Sequence, residues 1–291
     1  MSPADPASGS LPPAVIRALR CSICTEPVEL NGNALQCSRR HSFDLAKQGY
    51  VNLLHAKVLA GTADTADMVA ARAEFLAAGH YAPLAAELAV RAAERVRDGL
   101  VVDAGAGTGY YLARVLDELP DSSGLALDVS ALALRRAARA HPRIGAAVWN
   151  LWQPWPVADD SASVLLNVFA PRNGAEFHRV LRPDGVLLVA SPRPGHLAEL
   201  ASVVDLLAVD ERKDERLDAA LAGFFELTGR TECTRSLLLA PEDVRRVIRM
   251  GPSAHHLHRD GRRARLDALH EPVEVTASFQ VSAFAPRRLK G

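Results

Sequence analysis

Cys21-x2-Cys24-x12-Cys37-x3-His41 gathers three thiols and one imidazole in a short stretch of chain. These are the donors that tetrahedral Zn²⁺ accepts, and two close pairs joined by a longer spacer suit two knuckles around one ion. Four protein ligands leave no coordination position open, so a zinc held here would be structural. Redox cysteines or buried free thiols are the competing readings, and neither accounts for His41 at that spacing. Cys233 lies far away in a strand-like run and reads as a small core residue. A second constellation is Val101-Val102-Asp103-Ala104-Gly105-Ala106-Gly107-Thr108-Gly109, where alternate glycines follow an apolar strand and precede a helix. Glycine admits left-handed backbone and lets a ligand approach the main chain closely. The spacing G-x-G-x-G is not the G-x-G-x-x-G that seats a pyrophosphate. Asp128 ends a second apolar run, Gly124-Leu-Ala-Leu-Asp128, where a carboxylate can accept bonds from both hydroxyls of a ribose. A plain strand-to-helix turn, with Asp128 capping a helix, is the bland alternative. Asn150, after a third run, could read an adenine amino group or simply make a turn.

These residues need elements to hold them. From Leu100 onward, strands at Leu100–Ala104, Gly124–Asp128, Gly145–Trp149, Ser163–Phe169 and Val186–Ala190 alternate with helices at Tyr111–Asp117, Ala131–Ala140 and Ala175–Leu181. Such alternation predicts an α/β fold, a doubly wound sheet with helices on both faces. A helix over Leu197–Leu207 follows, then long strands at Phe224–Leu239 and Val273–Phe284 around a helix at Glu242–Met250; together they predict an antiparallel edge. Upstream, Thr65–Ala78 and Pro83–Arg97 carry apolar residues at helical spacing. Leu19 to about Leu54 is turn-rich, with an Asn31-Gly32 hairpin signal, and Met1–Pro13 is rich in Pro, Ser, Ala and Gly. The chain thus divides into a flexible tail over 1–18, a zinc-binding domain over 19–60 and a large α/β domain over 61–291. No internal repeat is visible.

With 48% hydrophobic residues among 291, the chain can bury a large core. Lys plus Arg and Asp plus Glu each total 34, which excludes a protein that coats nucleic acid through global positive charge. Contact with RNA would come from a local patch, and Arg17, Arg20, Arg39, Arg40 and Lys47 around the metal pattern form one. A solvated charged face is the alternative. Charges interrupt the apolar runs before they reach the length of a membrane span, the opening residues lack the pattern of a signal peptide, and the clustered cysteines suit a reducing compartment. The expectation is a soluble cytoplasmic protein with no membrane partner.

The glycine loop with Asp103 and Asp128 is similar to the first motif of class I methyltransferases. That resemblance implies S-adenosyl-L-methionine as cofactor, with Asp103 near its amino group and Gly105, Gly107 and Gly109 under its sugar and methionine parts. Taken in order, the cysteine and histidine pattern, Phe43-Asp44-Leu-Ala-Lys47-Gln-Gly49-Tyr50-Val-Asn52-Leu-Leu54, Gly79-His80-Tyr81 and the glycine loop resemble the ribosomal RNA guanine-N1 methyltransferases, from Arg20 to about Ala285. Asp64-Thr-Ala-Asp67-Met-Val-Ala-Ala-Arg72 and Asn167-Val-Phe-Ala-Pro171-Arg172-Asn173 look more like the tylosin and mycinamicin self-resistance branch than the enterobacterial housekeeping branch. The resemblance implies a Rossmann-like seven-stranded sheet with an N-terminal zinc module, and Cys21, Cys24, Cys37 and His41 as ligands of a structural Zn²⁺. It places Tyr81, Gly107-Thr108-Gly109 and His196 around the cofactor. A core role for Tyr81 and a helix N-terminal role for His196 are the alternatives. It further implies a guanine in a 23S rRNA hairpin near the peptide exit tunnel as substrate, position 748 in that branch, and protection against certain macrolides. A homodimer whose zinc modules form an RNA-holding cleft is the implied assembly. Ala104 and Thr108 depart from the family's residues without altering the loop's backbone role.

Methylating N1 of a neutral guanine requires removal of its proton or stabilisation of the anion at O6. The loop after the fourth strand is the lip of the substrate pocket in this fold. There Arg172 is expected to stabilise charge on O6 and Asn167 to bind the base edge, with loop capping as the alternative for both. Asn167-Val-Phe-Ala-Pro171 is not the box used for exocyclic amines, and no Pro-Cys pair suits attack on a pyrimidine ring. The competing readings are a small-molecule methyltransferase with a zinc lid and a non-catalytic zinc-dependent RNA-binding factor.

Overall fold

The computed structural model describes residues 11–54, 64–201, 219, 221–251 and 262–288. Near the N-terminus, β1 (Val28–Asn31), β2 (Ala34–Cys37) and β3 (Ser42–Asp44) form a small antiparallel sheet in that order. Gly32 takes the tight turn between the first two at φ +61, with Asn31 paired to Ala34, as the hairpin signal predicts.

The large sheet has eight strands, β4 (Tyr50–Asn52), β5 (Asp98–Ala104), β6 (Asp121–Asp128), β7 (Ile144–Val148), β8 (Ala162–Val168), β9 (Leu181–Pro192), β10 (Phe225–Leu239) and β11 (Val273–Pro286). Their order is β10-β11-β9-β8-β5-β6-β7-β4. β11 runs antiparallel to both of its neighbours, and every other pairing is parallel. The seven expected strands are β5 to β11. The eighth, β4, comes from the segment that the sequence reading assigns to the zinc domain, and its three residues are too few to display a strand period.

Helices cover both faces. On one, α2 (Ala66–Ala77), α3 (Ala82–Ala93), α4 (Tyr110–Glu118), α5 (Ala131–Ala140), α7 (Pro241–Arg249) and α8 (Arg262–Asp267) bury Phe75, Leu88, Leu112, Leu134, Val244 and Leu266 with the sheet residues Val101, Leu166 and Phe279. Thr65 starts α2 and Ser130 starts α5 by accepting bonds from Met68 N–H and Ala133 N–H, the usual satisfaction of a first-turn donor. On the other face, α1 (Pro13–Ala18) and α6 (Gly174–Val180) join the zinc module, so that Val15, Leu19, Leu35 and Phe177 share one core with Val102, Leu125 and Leu165. Residues 149–161 link β7 to β8 without a helix, and the sheet face left bare there is covered by α1 and the module.

That docking corrects the expected flexible tail where it is described, over 11–18. Val15 is fully buried, Leu11 and Leu19 are buried, and Arg20 N–H and Ala158 N–H exchange bonds across to Pro156 and Ala18 carbonyls at 2.9 and 2.8 Å. A six-residue helix shows no periodicity and owes its existence to packing. Of the helix expected over Leu197–Leu207, Ala198–Leu200 form one 3₁₀ turn, while 202–207 lie outside the described residues, as do 1–10 and Gly61–Ala63 of the expected linker. Among the described residues no helix is long and apolar enough to cross a membrane.

Candidate functional site

The zinc pattern folds into two turns facing each other. Cys21 and Cys24 lie between α1 and β1, Cys37 ends β2, and His41 precedes β3. Cys21 N–H donates to Glu26 O and Cys37 N–H to His41 O, and each turn is closed by a residue at positive φ, Thr25 at +62 and Arg40 at +65. The four ligand atoms lie within 4.8 Å of one another. Sγ of Cys21 and of Cys37 each stand 3.4 Å from His41 Nδ1, and Sγ of Cys24 stands 3.7 Å from Sγ of Cys37. Tetrahedral zinc with ordinary bond lengths spaces its ligands by about 3.8 Å from sulfur to sulfur and about 3.6 Å from sulfur to nitrogen. The donors therefore fit the ion, which His41 would bind through Nδ1.

The winding of the large sheet reverses between β5 and β8, and the carboxyl ends of strands at such a switch point open a ligand crevice. The glycine loop forms one wall. Gly105, Gly107 and Gly109 sit at φ +87, +53 and +77. Two of them also lack room for a side chain, since a Cβ on Gly105 would lie 2.3 Å from Ala170 Cβ and one on Gly109 2.8 Å from Ala137 Cα. Gly105 N–H and Ala106 N–H both donate to Leu127 O, at 2.8 and 3.1 Å, which fastens the loop over β6.

Asp103 ends inside this crevice, 1% exposed, and its Oδ1 has no hydrogen-bond partner among the described residues. Burial, with the nearby charge of Asp128 adding, pushes its pKa up to about 8. A buried carboxyl left so is unfavourable unless a cation completes it. Asp128 Oδ2 accepts from Gly107 N–H at 2.9 Å and Oδ1 from Ser130 N–H at 2.8 Å. Burial raises its pKa as well, and those two bonds pull it back. Each oxygen keeps a further lone pair, so Asp128 can anchor the loop and still accept from ribose hydroxyls. Asn150 uses Oδ1 to accept from Trp152 N–H at 3.0 Å, the turn role. Thr108 is buried within the loop.

Arg72 of α2 is a neighbour that motif reading passes over. Its Nη1 pairs with Asp64 and comes within 3.5 Å of where a Cβ on Gly107 would lie, while its Nη2 donates to Met250 O at 2.8 Å. The available signal was a charged pair bracketing the start of α2, which carries no trace of the distant carbonyl.

Tyr81 and His196 meet across the chain, hydroxyl to Nε2 at 3.3 Å. His196 Nδ1 accepts from Ser278 N–H at 3.2 Å, which assigns the ring proton to Nε2 and makes it the donor to Tyr81. Phe75 and Phe279 pack edge-on to Tyr81 with ring centres 5.0 and 4.8 Å away, and burial raises the phenol's pKa. Asn167 departs from expectation. It is fully buried in β8, with Nδ2 donating to Ala104 O at 3.2 Å and to Pro171 O at 2.9 Å. A central parallel strand is covered on both faces, so even its polar residues are interior. Asn167 thus ties the loop after β8 to the tip of β5 through Nδ2, while its buried Oδ1 has no hydrogen-bond partner among the described residues. Arg172 stands half-buried on that loop, at the lip of the crevice.

A zinc-ribbon family model described as RlmA, N-terminal, matches residues 19–58. The 23S rRNA (guanine(748)-N(1))-methyltransferase of Streptomyces fradiae is 47% identical, over 92% of this chain and 97% of that protein. The chain belongs to the 23S rRNA (guanine-N1)-methyltransferases. A relative from Micromonospora griseorubida, named for the same reaction, is 50% identical over 94% of this chain and 99% of its own length. A solved complex between the Haloferax volcanii Trm112 methyltransferase activator and a methyltransferase matches with a TM-score of 0.51 at 16% identity, over 78% of this chain and 100% of that one, a likeness of fold.

This methyltransferase takes S-adenosyl-L-methionine and a structural zinc as cofactors. The residues fit both groups. Asp103, whose Oδ1 has no partner among the described residues, would offer its carboxylate to an ammonium, and the loop would allow close approach of a nucleoside. A Gly105→Ala variant is therefore expected to lose cofactor binding in calorimetric titration and to melt well below the parent. Gly107→Ala meets only the left-handed backbone penalty of about 1–2 kcal/mol and should stay folded. Equal melting temperatures for the two variants would contradict this account of the loop.

Proposed function

We propose that this enzyme methylates N1 of guanine 748 in the 23S rRNA hairpin near the peptide exit tunnel, in the cytoplasm, and thereby protects the ribosome against tylosin- and mycinamicin-type macrolides. The observation that carries this reading is the 47% identity, over nearly the full length of both chains, with the Streptomyces fradiae enzyme named for that nucleotide.

Bound S-adenosyl-L-methionine supplies an electrophilic methyl group on a sulfonium. The protein's part is to align acceptor and donor and to keep water out. In this reading Asp103 holds the cofactor's amino group, Asp128 its ribose hydroxyls, and the backbone of Gly105 to Gly109 its sugar and methionine parts. Thr108 contributes through that backbone, and Asn150 lies near the adenine. The Tyr81–His196 pair buttresses the pocket. Arg172 donates to O6 of the guanine, where charge collects once N1 has lost its proton to solvent before the site closes on the base. Asn167 positions the Arg172 loop.

The zinc module grips the RNA. Arg17, Arg39, Arg40 and Lys47 are exposed on it. A groove of about 820 Å³ runs between the first knuckle and the β7–β8 connection, lined by Arg20, Thr25, Gln153, Trp155 and Arg179, the last paired with Asp159 of the same lining and with Glu176. Trp152 stands exposed beside it on the same connection. Cationic groups flanking a groove suit phosphates of a stem, while the target base itself is turned out of its loop. Two chains pair so that their zinc modules face each other across the RNA, an assembly that light scattering on the RNA complex would register as two protomers per hairpin.

The test is primer extension across the exit-tunnel hairpin on rRNA from a host lacking this modification, with and without added enzyme and cofactor. N1 methylation blocks base pairing, so a new stop one nucleotide before 748 is expected. A stop elsewhere would reassign the nucleotide, and no stop would remove the rRNA reading.

A further inference from the structure

Phe169 follows β8 directly and combines two features that are each unfavourable. It is 43% exposed, and its backbone sits at φ +55 although it is neither glycine nor asparagine. A bulky residue is rarely held in left-handed backbone, and residues held there against strain gather at functional sites. The conformation is enforced from both sides. Phe169 N–H donates to Ala190 O at 3.2 Å, and the next residue, Ala170, is wedged against Gly105. Asn167 fastens the far end of the turn through Pro171 O.

The strain decides where the ring goes. Val168 is buried, and continued strand alternation would send the next side chain into the opposite core. The left-handed turn carries it out to the rim of the crevice instead, on the β8 wall facing the glycine loop of β5. Three aromatic rings from three other elements then hold it: Phe279 at 5.5 Å, Tyr111 at 6.3 Å and Tyr81 at 6.5 Å between centres. The Tyr111 and Tyr81 contacts are edge-on, at interplanar angles of 79° and 64°. A ring braced by its neighbours and open to solvent loses little freedom when a flat ligand lies on it.

We propose that Phe169 is the platform on which the target guanine stacks after leaving its hairpin, an inference that rests on the rRNA substrate reading above. A base turned out of a helix loses its stacking partners, and an aromatic side chain replaces them. Stacking sets the plane of the base and leaves its edge free. N1 and O6 both lie on that edge, so a fixed plane aims N1 at the methyl donor and presents O6 to Arg172, three residues along the same loop. Phe169 thereby acts as a positioning surface for the acceptor, with no part in holding the cofactor.

The experiment compares Phe169→Tyr, Phe169→Trp, Phe169→Leu and Phe169→Gly with the parent in single-turnover methylation of a transcribed 23S rRNA fragment containing the hairpin. Cofactor affinity is measured by calorimetry and stability by thermal melting. The aromatic variants are expected to stay within about threefold of the parent rate, whereas the leucine and glycine variants fall by about tenfold to a hundredfold, the span of one lost base–aromatic stack. Cofactor affinity should be unchanged in all four. Glycine accepts φ +55 without strain, so Phe169→Gly remains folded and separates loss of the ring from loss of the turn. A leucine or glycine variant at the parent rate overturns the proposal, as does a fall in cofactor affinity that tracks the fall in rate. Failure of the parent itself to methylate the fragment overturns the substrate reading, and the guanine platform with it.

Discussion

Replacing Cys37 by serine is expected to yield a chain that retains no stoichiometric zinc, melts far below the parent and has lost methylation. The sheet of β1 to β3 consists of strands of three or four residues, and its own buried side chains are few, Val28 and Leu35 among them. A module of that size does not close without its metal, and structural zinc contributes on the order of 10 kcal/mol to such folds. The loss does not stay local. Cys21, Cys37, Leu19 and Leu35 share a continuous core with Leu125, Leu165 and Phe177, and beside α6 the helix-free link between β7 and β8 leaves the rest of that sheet face to α1 and the module. Zinc content by atomic absorption and calorimetric melting, on the variant and on chelator-treated parent, check this. A Cys37→Ser protein that melts in two separate transitions, with the larger one unmoved, would show that the module is an appendage and sink the argument.

Asp103→Asn is expected to weaken S-adenosyl-L-methionine binding by more than a hundredfold at pH 8 and to remove much of its pH dependence. In the folded protein the carboxyl sits at about 8, against an ordinary value of 3.8. Between those values the folded state keeps a proton that the unfolded chain has released. The stability tied to this group is therefore full below pH 3.8 and is lost as the pH rises through 8. Binding an ammonium requires the charged form, so the affinity of the parent should rise by up to about tenfold per pH unit up to pH 8, with release of a proton. Asp128, also raised by burial, leaves a residual slope, and the diagnostic is the difference between parent and variant. Titrations in two buffers of different ionisation enthalpy would read the proton directly. An asparagine variant with the same pH slope and the same proton release would place the titrating group elsewhere.

What could be read along the chain shares one property: its signal is local. The metal donors sit on two tight turns whose spacing is written in consecutive residues. The glycine loop is a strand, a turn and a helix in unbroken order, so Asp103 at one strand tip and Asp128 at the next follow from counting. Helix α5 was predicted over Ala131–Ala140 and lies there, because a serine cap and an apolar stripe mark it unaided. The antiparallel β10–β11 edge was equally visible in two long alternating runs.

Long-range packing settled the remainder. Strand β4 joins β7 through three residues that show no period, and α1 is a helix because Val15 and Ala18 find a bare sheet face, not because six residues favour one. Asn167 carries the same amide wherever it lies. Its partners, Ala104 and Pro171, make its amide nitrogen an internal tie. Arg72 finds Met250, 178 positions away, and Phe169 takes its unusual backbone from Ala190 in β9 and from Gly105 in the loop after β5. Residue types and short spacings specify which chemistry is available. The burial, strain and aim of each side chain are set by elements distant in sequence, whose approach leaves no mark on the residues between them.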